Sequence, residues 1–181
     1  MKYYKTILLK NGTECCLRNG TESDGQLVLD NFNLTHEQTD YLLSYPDENS
    51  FDVVQESRFL KEKSESDNEI EILAVVNNDV VGTAGIEAVG TKYKVRHRAE
   101  FGISVAREFW GLGIGRALMD ACIESARQAG YVQLELNVVS DNTRAISMYE
   151  KAGFQEYGRN PKGFHSRITG FQEVVYMRLE L

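Results

Sequence analysis

The stretch Phe101 to Leu118, FGISVAREFWGLGIGRAL, constrains the fold of this chain more than any other. Phe101, Ile103 and Val105 alternate as buried strand positions do, a short polar link follows, and Gly111, Gly113 and Gly115 then open into an amphipathic helix. A strand that feeds a helix through glycines must set the helix N-terminus close to the strand's end. Glycine lets backbone N–H groups turn outward and approach a ligand closely. The unpaired first-turn donors and the positive end of the helix dipole favour a phosphate by about 0.3–1 kcal/mol before any charged side chain contributes. The stretch therefore predicts a phosphate-bearing ligand at Gly111 to Arg116, against the plainer reading of a glycine turn that serves only close packing. A dinucleotide fingerprint does not fit, because Arg116 stands where its third glycine belongs and Ala106 to Trp110 separate strand from first glycine. A P-loop does not fit, because its Gly-Lys-Ser/Thr ending is absent.

The rest of the chain mixes strand and helix patterns. Tyr3 to Leu9 and Glu14 to Arg18 flank the hairpin dipeptide Asn11-Gly12. Thr21 to Asp24 reads as a helix start before Gln26 to Phe32, and Thr35 with Gln38 makes a capping-box pattern for a further helix carrying Tyr41, Leu42 and Tyr45. Val53, Val54, Ser57 and Leu60 suggest another helix, and the charged run Lys61 to Asp67 reads as its solvated end and loop. Ile70 to Val76 and Val80 to Ala88 are apolar strands joined by Asn77, Asn78 and Asp79; Thr91 to Arg98 is a basic loop or strand start before the strand Ala99 to Val105. After the glycines, Ile114, Ala117, Leu118, Ala121, Cys122 and Ser125 form one helix face that Gly130 ends. Tyr131 to Val139 alternates as a strand, Asp141 and Asn142 cap a helix over Thr143 to Ala152, and Phe154 to Leu181 reads as two strands around a loop holding Pro161 and Gly163.

At 181 residues, with no repeat or interdomain linker, the chain reads as one domain, 1–181, large enough for one core. The net charge of -7 argues against nucleic acid and anionic membrane as partners and suits a cationic or amine substrate. Three cysteines, two of them the adjacent Cys15 and Cys16, give neither a disulfide framework nor a zinc spacing, and His36, His97 and His165 are scattered, so no metal is expected. Without a signal peptide or a membrane-length apolar run, the expected location is the cytoplasm.

Trp110-Gly111-Leu112-Gly113-Ile114-Gly115 resembles the strand-loop-helix motif of the GNAT superfamily of N-acetyltransferases, which reads Arg or Gln, two variable residues, Gly, any residue, then Gly or Ala. Trp110 replaces the usual Arg or Gln. Asn142-Thr-Arg-Ala-Ile-Ser-Met-Tyr-Glu-Lys-Ala-Gly-Phe154 resembles the family's other hallmark, a helix reading Asn, Ala, Tyr, Glu, Lys, Gly, Phe. The resemblance implies an α/β (α+β) fold with a mixed, largely antiparallel central sheet flanked by helices, and acetyl-CoA as cosubstrate. It implies that Gly111, Leu112, Gly113, Ile114, Gly115 and Arg116 hold the pyrophosphate, with Trp110 at the entry, and that the backbone of Ile103, Ser104 and Val105 pairs with the pantetheine arm. Asn142 and Ala145 join this site from the second motif, on the helix face that also carries Tyr149. In the family that tyrosine protonates the departing thiolate; apart from the family, it reads rather as an amphipathic core aromatic with a satisfied hydroxyl.

Glu100, at the start of the central strand, is the candidate general base, directly or through water, and Glu135 in the neighbouring strand is a second; either carboxylate alone reads as well as an exposed or salt-bridged one. The expected reaction is acetyl transfer from acetyl-CoA to a primary amine of a small molecule by direct attack. A protein N-terminus or lysine as acceptor, and a non-catalytic CoA or acyl-CoA sensor, are the alternatives. Val174, Val175 and Tyr176 mark a C-terminal strand that could pair or pack between subunits of a homodimer.

Overall fold

The computed structural model describes residues 1–181. β1 (Tyr4–Leu8) and β2 (Glu14–Asn19) form the expected hairpin, with Gly12 in its turn at φ +83°. A 3-10 turn at Glu22–Asp24 leads into α1 (Gly25–Gln38). The pattern from Thr35 to Gln38 starts no new helix. α1 runs through it, and the Thr35 hydroxyl donates back to the Asn31 carbonyl at 2.9 Å, the local bond available to a threonine inside a helix. Tyr41, Leu42 and Tyr45 consequently lie in a connection whose only helical piece is the 3-10 turn Pro46–Glu48. α2 (Val53–Glu65) is capped by Asp52, which accepts from Gln55 N at 2.8 Å. It continues through the charged run that reads as a solvated end: Lys63 is buried and donates to Glu69 and Glu87, each at 2.8 Å.

β3 (Ile70–Val76) and β4 (Asp79–Ala88) turn through Asn77 and Asn78, both left-handed at φ +52° and +72°. β5 (Arg98–Val105), a 3-10 turn at Arg107–Phe109 and α3 (Ile114–Gln128) follow, then β6 (Gln133–Val139), α4 (Thr143–Lys151), β7 (Gln155–Ser166) and β8 (Gly170–Glu180). Pro161 and Gly163 lie inside β7, at a register shift between Asn160 and Phe164, and not in the turn; β7 is one of the sheet's two edge strands, where a residue without an N–H is tolerated.

The eight strands make one sheet in the order β1-β2-β3-β4-β5-β6-β8-β7, antiparallel except for the parallel contact of β5 with β6. β8 is paired on both flanks and Val174 and Val175 are buried, so this strand offers no free edge to a second copy. One face of the sheet carries the main core, where Ile72, Ala84, Ile86, Ala99 and Phe101 meet Leu118, Cys122 and Tyr149 of α3 and α4. The opposite face carries a smaller cluster, Leu73 and Val80 against Val28 and Leu60 of α1 and α2. No helix is long and apolar enough to cross a membrane.

Candidate active site

β5 and β6 part company where the site begins. They pair only from Arg98 to Glu100 against Gln133 to Glu135, while β5 stays paired with β4 as far as Val105. From Phe101 onward the edge of β5 that faces β6 therefore has no ladder partner, and a strand edge left open offers its main-chain groups to an extended ligand. A cavity follows this edge. It is lined by Ile103, Ser104 and Val105, then Trp110, Gly111, Gly113, Gly115 and Arg116, and from the other side by Asn142, Ala145 and Tyr149. The two widely separated motifs thus meet across the gap between the strands.

The glycines build the far end of this cavity out of main chain. Gly111 and Gly113 lie at φ +83° and +105°, values that a side chain disfavours, and a Cβ at Gly113 would meet nothing within 4 Å. The constraint at Gly113 is therefore conformational. No N–H from Gly111 to Arg116 finds an acceptor within the protein, and no side chain caps α3. Six orphan donors at a helix start fit a pyrophosphate. Leu112 and Ile114 supply only backbone here, since their side chains pack into the core.

Trp110 works differently from an Arg or Gln at its position. Its indole Nε1–H donates to the Val105 carbonyl at 2.6 Å and ties the loop to the end of β5. The guanidinium groups of Arg107 and Arg144 lie over its ring at 5.7 and 5.4 Å. Arg144 and Lys10 line the cavity, and Lys10 N donates to the Leu112 carbonyl at 3.2 Å. Neither cation stands in the glycine motif. Arg144 was legible only as an arginine next to a helix cap, and Lys10 reaches the site from the β1–β2 turn.

Asn142 caps α4 by accepting from Ala145 N at 3.3 Å, which fixes the helix that carries Tyr149. Tyr149 is 6% exposed, stands edge-on to Phe101 with ring centroids 6.2 Å apart, and touches Phe154 as well. Burial pushes its phenol well above the ordinary tyrosine value, so it is held protonated. Its hydroxyl has no hydrogen-bond partner in the protein, although the residue lines the cavity. A protonated, unengaged phenol beside a ligand cavity is equipped to give up a proton.

A second cavity opens on the opposite face of the sheet, under α1, α2 and the connection between them. It shares Leu42, Ile103 and Ser104 with the first. Its floor is a row across three strands, Glu71, Gly85 and Gly102, set by the registers Glu71 to Gly85 and Gly85 to Gly102. The Glu71 carboxylate lies over Gly85, in the space that a Cβ there would occupy. Glu87 and Glu100, paired with each other across β4 and β5, flank this row. Burial lifts the Glu71 carboxyl to about 7, opposed by a hydrogen bond with Thr83 and the Lys63 ammonium and aided by Glu56 and Glu87. Burial alone lifts Glu56.

Glu100 therefore lines the second cavity, and Glu135 lines neither. Glu135 is buried, bidentate with Arg98 Nε and Nη2, and bonded to Gln133 at 2.7 Å. The Arg98 bonds hold its carboxyl below the ordinary range despite desolvation, an ion pair rather than a proton acceptor. Glu71 and Glu56 are the residues that motif reading passes over. The available signals were a lone carboxylate in the apolar strand Ile70–Val76 and glycines inside strand runs, which mark close approach.

The wall between the two cavities is the connection from Thr39 to Asp52, and it is fastened at a distance. Asp40 accepts from Ser166 at 2.6 Å, from Tyr45 at 2.9 Å and from Gln172 at 3.1 Å. Burial would raise its carboxyl, but these bonds outweigh it and hold the group low. Arg167 Nη1 adds a bond to Asp47 at 2.8 Å. The β7–β8 hairpin thereby fixes Leu42 at the junction. His165 is within β7, stacked on Phe171, and lines neither cavity.

Residues 32–154 match the sequence model of the Acetyltransferase (GNAT) family. An L-amino acid N-acetyltransferase of Escherichia coli is 36% identical over 108 residues, 59% of this chain and 65% of that protein. The chain spans between 17% and 65% of the length of the first curated relatives it matches. Among solved structures, an acetyltransferase of the GNAT family from Streptococcus pneumoniae superposes with a TM-score of 0.88 at 26% identity, covering 92% of this chain and 99% of that one. A protein from Salmonella typhimurium solved with its cofactor acetyl-CoA shares the fold, with a TM-score of 0.80 at 18% identity over 92% of this chain and 94% of that one.

Proposed function

Because this chain belongs to the acetyltransferase (GNAT) family, we propose that it moves an acetyl group from acetyl-CoA to a primary amine of a small molecule by direct attack, with 1–181 acting as one catalytic domain in the cytoplasm. The observation that carries this reading is the junction of two unlike cavities at Leu42, Ile103 and Ser104, one lined by orphan N–H groups and the other by carboxylates. Acetyl-CoA supplies an activated thioester. The main-chain donors of Gly111 to Arg116, with Arg144 and Lys10 nearby, bind its phosphates, and the open edge of β5 at Ile103 to Val105 aligns the pantetheine arm.

Attack by the amine nitrogen forms the C–N bond and breaks the C–S bond. The leaving thiolate takes its proton from Tyr149, whose burial keeps that proton in place until the charge develops. The ammonium proton of the acceptor goes to a carboxylate of the second cavity. Glu100 fills this role directly or through water. Glu71 is the second reading, favoured by a carboxyl held at about 7, the range in which a base is both free and able to accept a proton. No covalent enzyme intermediate is needed, and Cys122 is buried in the core, where its thiol is pushed far above its ordinary value. The test is thiol release across an amine panel with the product identified by mass. N-acetylated amine in step with free CoA is expected; CoA binding without turnover on any amine, small or peptidyl, would leave only the sensor reading.

A further inference from the structure

The second cavity holds more negative charge than a single reacting amine can answer. Glu87 is satisfied by Lys63, but Glu56, Glu71 and Glu100 form no salt bridge, and no lysine or arginine lines the cavity. Glu56 is the decisive group. It is only 7% exposed, it projects from α2 among the lining residues, and its carboxylate makes no hydrogen bond within the protein. The one buried side-chain atom that is both sealed off and unpartnered is Asn31 Oδ1, so the Glu56 oxygens keep access to the cavity. A buried carboxylate without a partner is costly, and it is relieved either by a proton, the direction in which burial lifts Glu56, or by a cation in the cavity that its oxygens reach.

The reacting nitrogen cannot be that cation, because it must shed its charge before it attacks. A charge that remains on the acceptor through the reaction can. We infer that the acceptor is a small aliphatic diamine or polyamine, with one amine at the Leu42–Ser104 junction and a second amine, protonated throughout the reaction, on Glu56. Val28, Phe32 and Phe59 of the same cavity would cover the methylenes between them. A zwitterionic amino acid is disfavoured, since its carboxylate would face Glu56 and Glu71 with no cation to receive it. This inference rests on the acetyl-transfer reading. One amine loses a proton and gains the acetyl group, CoA leaves as the thiol, and the second ammonium is unchanged.

Three probes of equal chain length separate the possibilities: putrescine, n-butylamine and gamma-aminobutyrate end in a positive, a neutral and a negative group. Turnover of each with acetyl-CoA is compared with its binding to CoA-saturated protein by calorimetry. Putrescine should exceed n-butylamine in kcat/KM by roughly tenfold or more, the usual worth of one charge-assisted contact, with gamma-aminobutyrate last. Glu56→Gln should erase that preference while leaving the KM for acetyl-CoA unchanged. Equal or better use of n-butylamine or gamma-aminobutyrate, or a preference that survives Glu56→Gln, would overturn the inference. If no amine is turned over while CoA binds, acetyl transfer is refuted and the calorimetric order still decides the dication: tighter putrescine supports it, and equal or absent binding ends it. Should Glu56→Gln fail to fold, the three probes on the unaltered protein decide alone.

Discussion

The two cavities that meet at Ser104 are built from opposite materials. The donor side is main chain: an open strand edge and a helix start, shaped by residues whose contribution is to be small or to turn the backbone. The acceptor side is side chain, with carboxylates drawn from α2, β3, β4 and β5 onto one face of the sheet over two glycines. A site made of backbone is fixed by conformation and tolerates changes of side chain, as at Trp110. A site made of side chains is set by charge and burial, and on the proposed reading small changes there should alter which acceptor fits.

The sharpest way to break this contrast is at the point where both sides act. Tyr149→Phe should lower kcat by roughly a hundredfold, the usual worth of a positioned acid, while calorimetric affinity for acetyl-CoA stays near that of the parent. Equal turnover in both proteins would remove the acid role. On the donor side, Gly113→Glu forces a side chain into φ +105° and sets a like charge at the cradle; affinity for CoA should fall about tenfold or more, from strain of about 1–3 kcal/mol and the lost dipole interaction. Unchanged affinity would mean that the phosphates bind elsewhere.

On the acceptor side the contrast is one of pH. A base must be deprotonated to act, so if Glu71 serves, kcat/KM falls as pH drops through about 7, and Glu71→Gln removes that limb whereas Glu100→Gln keeps it. The converse result assigns the base to Glu100. Stability runs the other way. A carboxyl whose folded value is raised stabilises the fold only while protonated, so its contribution is lost as pH rises from the ordinary carboxylate range through about 7. Glu71→Gln should therefore melt a few degrees higher than the parent at alkaline pH and show a smaller difference in acid. The groups around Glu71 that tune this are Thr83, Lys63, Glu56 and Glu87. Smaller effects belong to the supports. Asp40→Ala should loosen the wall, at a cost of about 1–3 kcal/mol, and raise the KM for the amine more than that for acetyl-CoA. Glu135→Gln should cost stability by thermal melting and leave kcat nearly unchanged, because that carboxylate is engaged by Arg98 and Gln133 away from both cavities.

The same division decides what could be read from the sequence. Gly111, Gly113 and Gly115 announce the donor site because a backbone site needs specific residues at specific spacings, all local. The helix face joining Asn142, Ala145 and Tyr149 is legible for the same reason. The acceptor carboxylates are not, since register brings Glu71 beside Gly85 and Gly102 across 31 positions of chain, and nothing local marks Glu56 as buried. Misread elements share a cause. Thr35 carries a capping pattern that tertiary packing leaves inside α1, and Lys63 sits in a charged run whose pairing partners, Glu69 and Glu87, lie on the sheet. Pro161 looks like a turn residue and is an edge-strand irregularity.

One measurement bears most directly on the account: the unaltered protein with acetyl-CoA and a short diamine, with free thiol and acetylated product followed together. CoA release and N-acetyl product should appear at equal rates, both falling with Tyr149→Phe while acetyl-CoA stays bound. Tight CoA binding with no thiol released and no acetylated amine, on any acceptor offered, would contradict it.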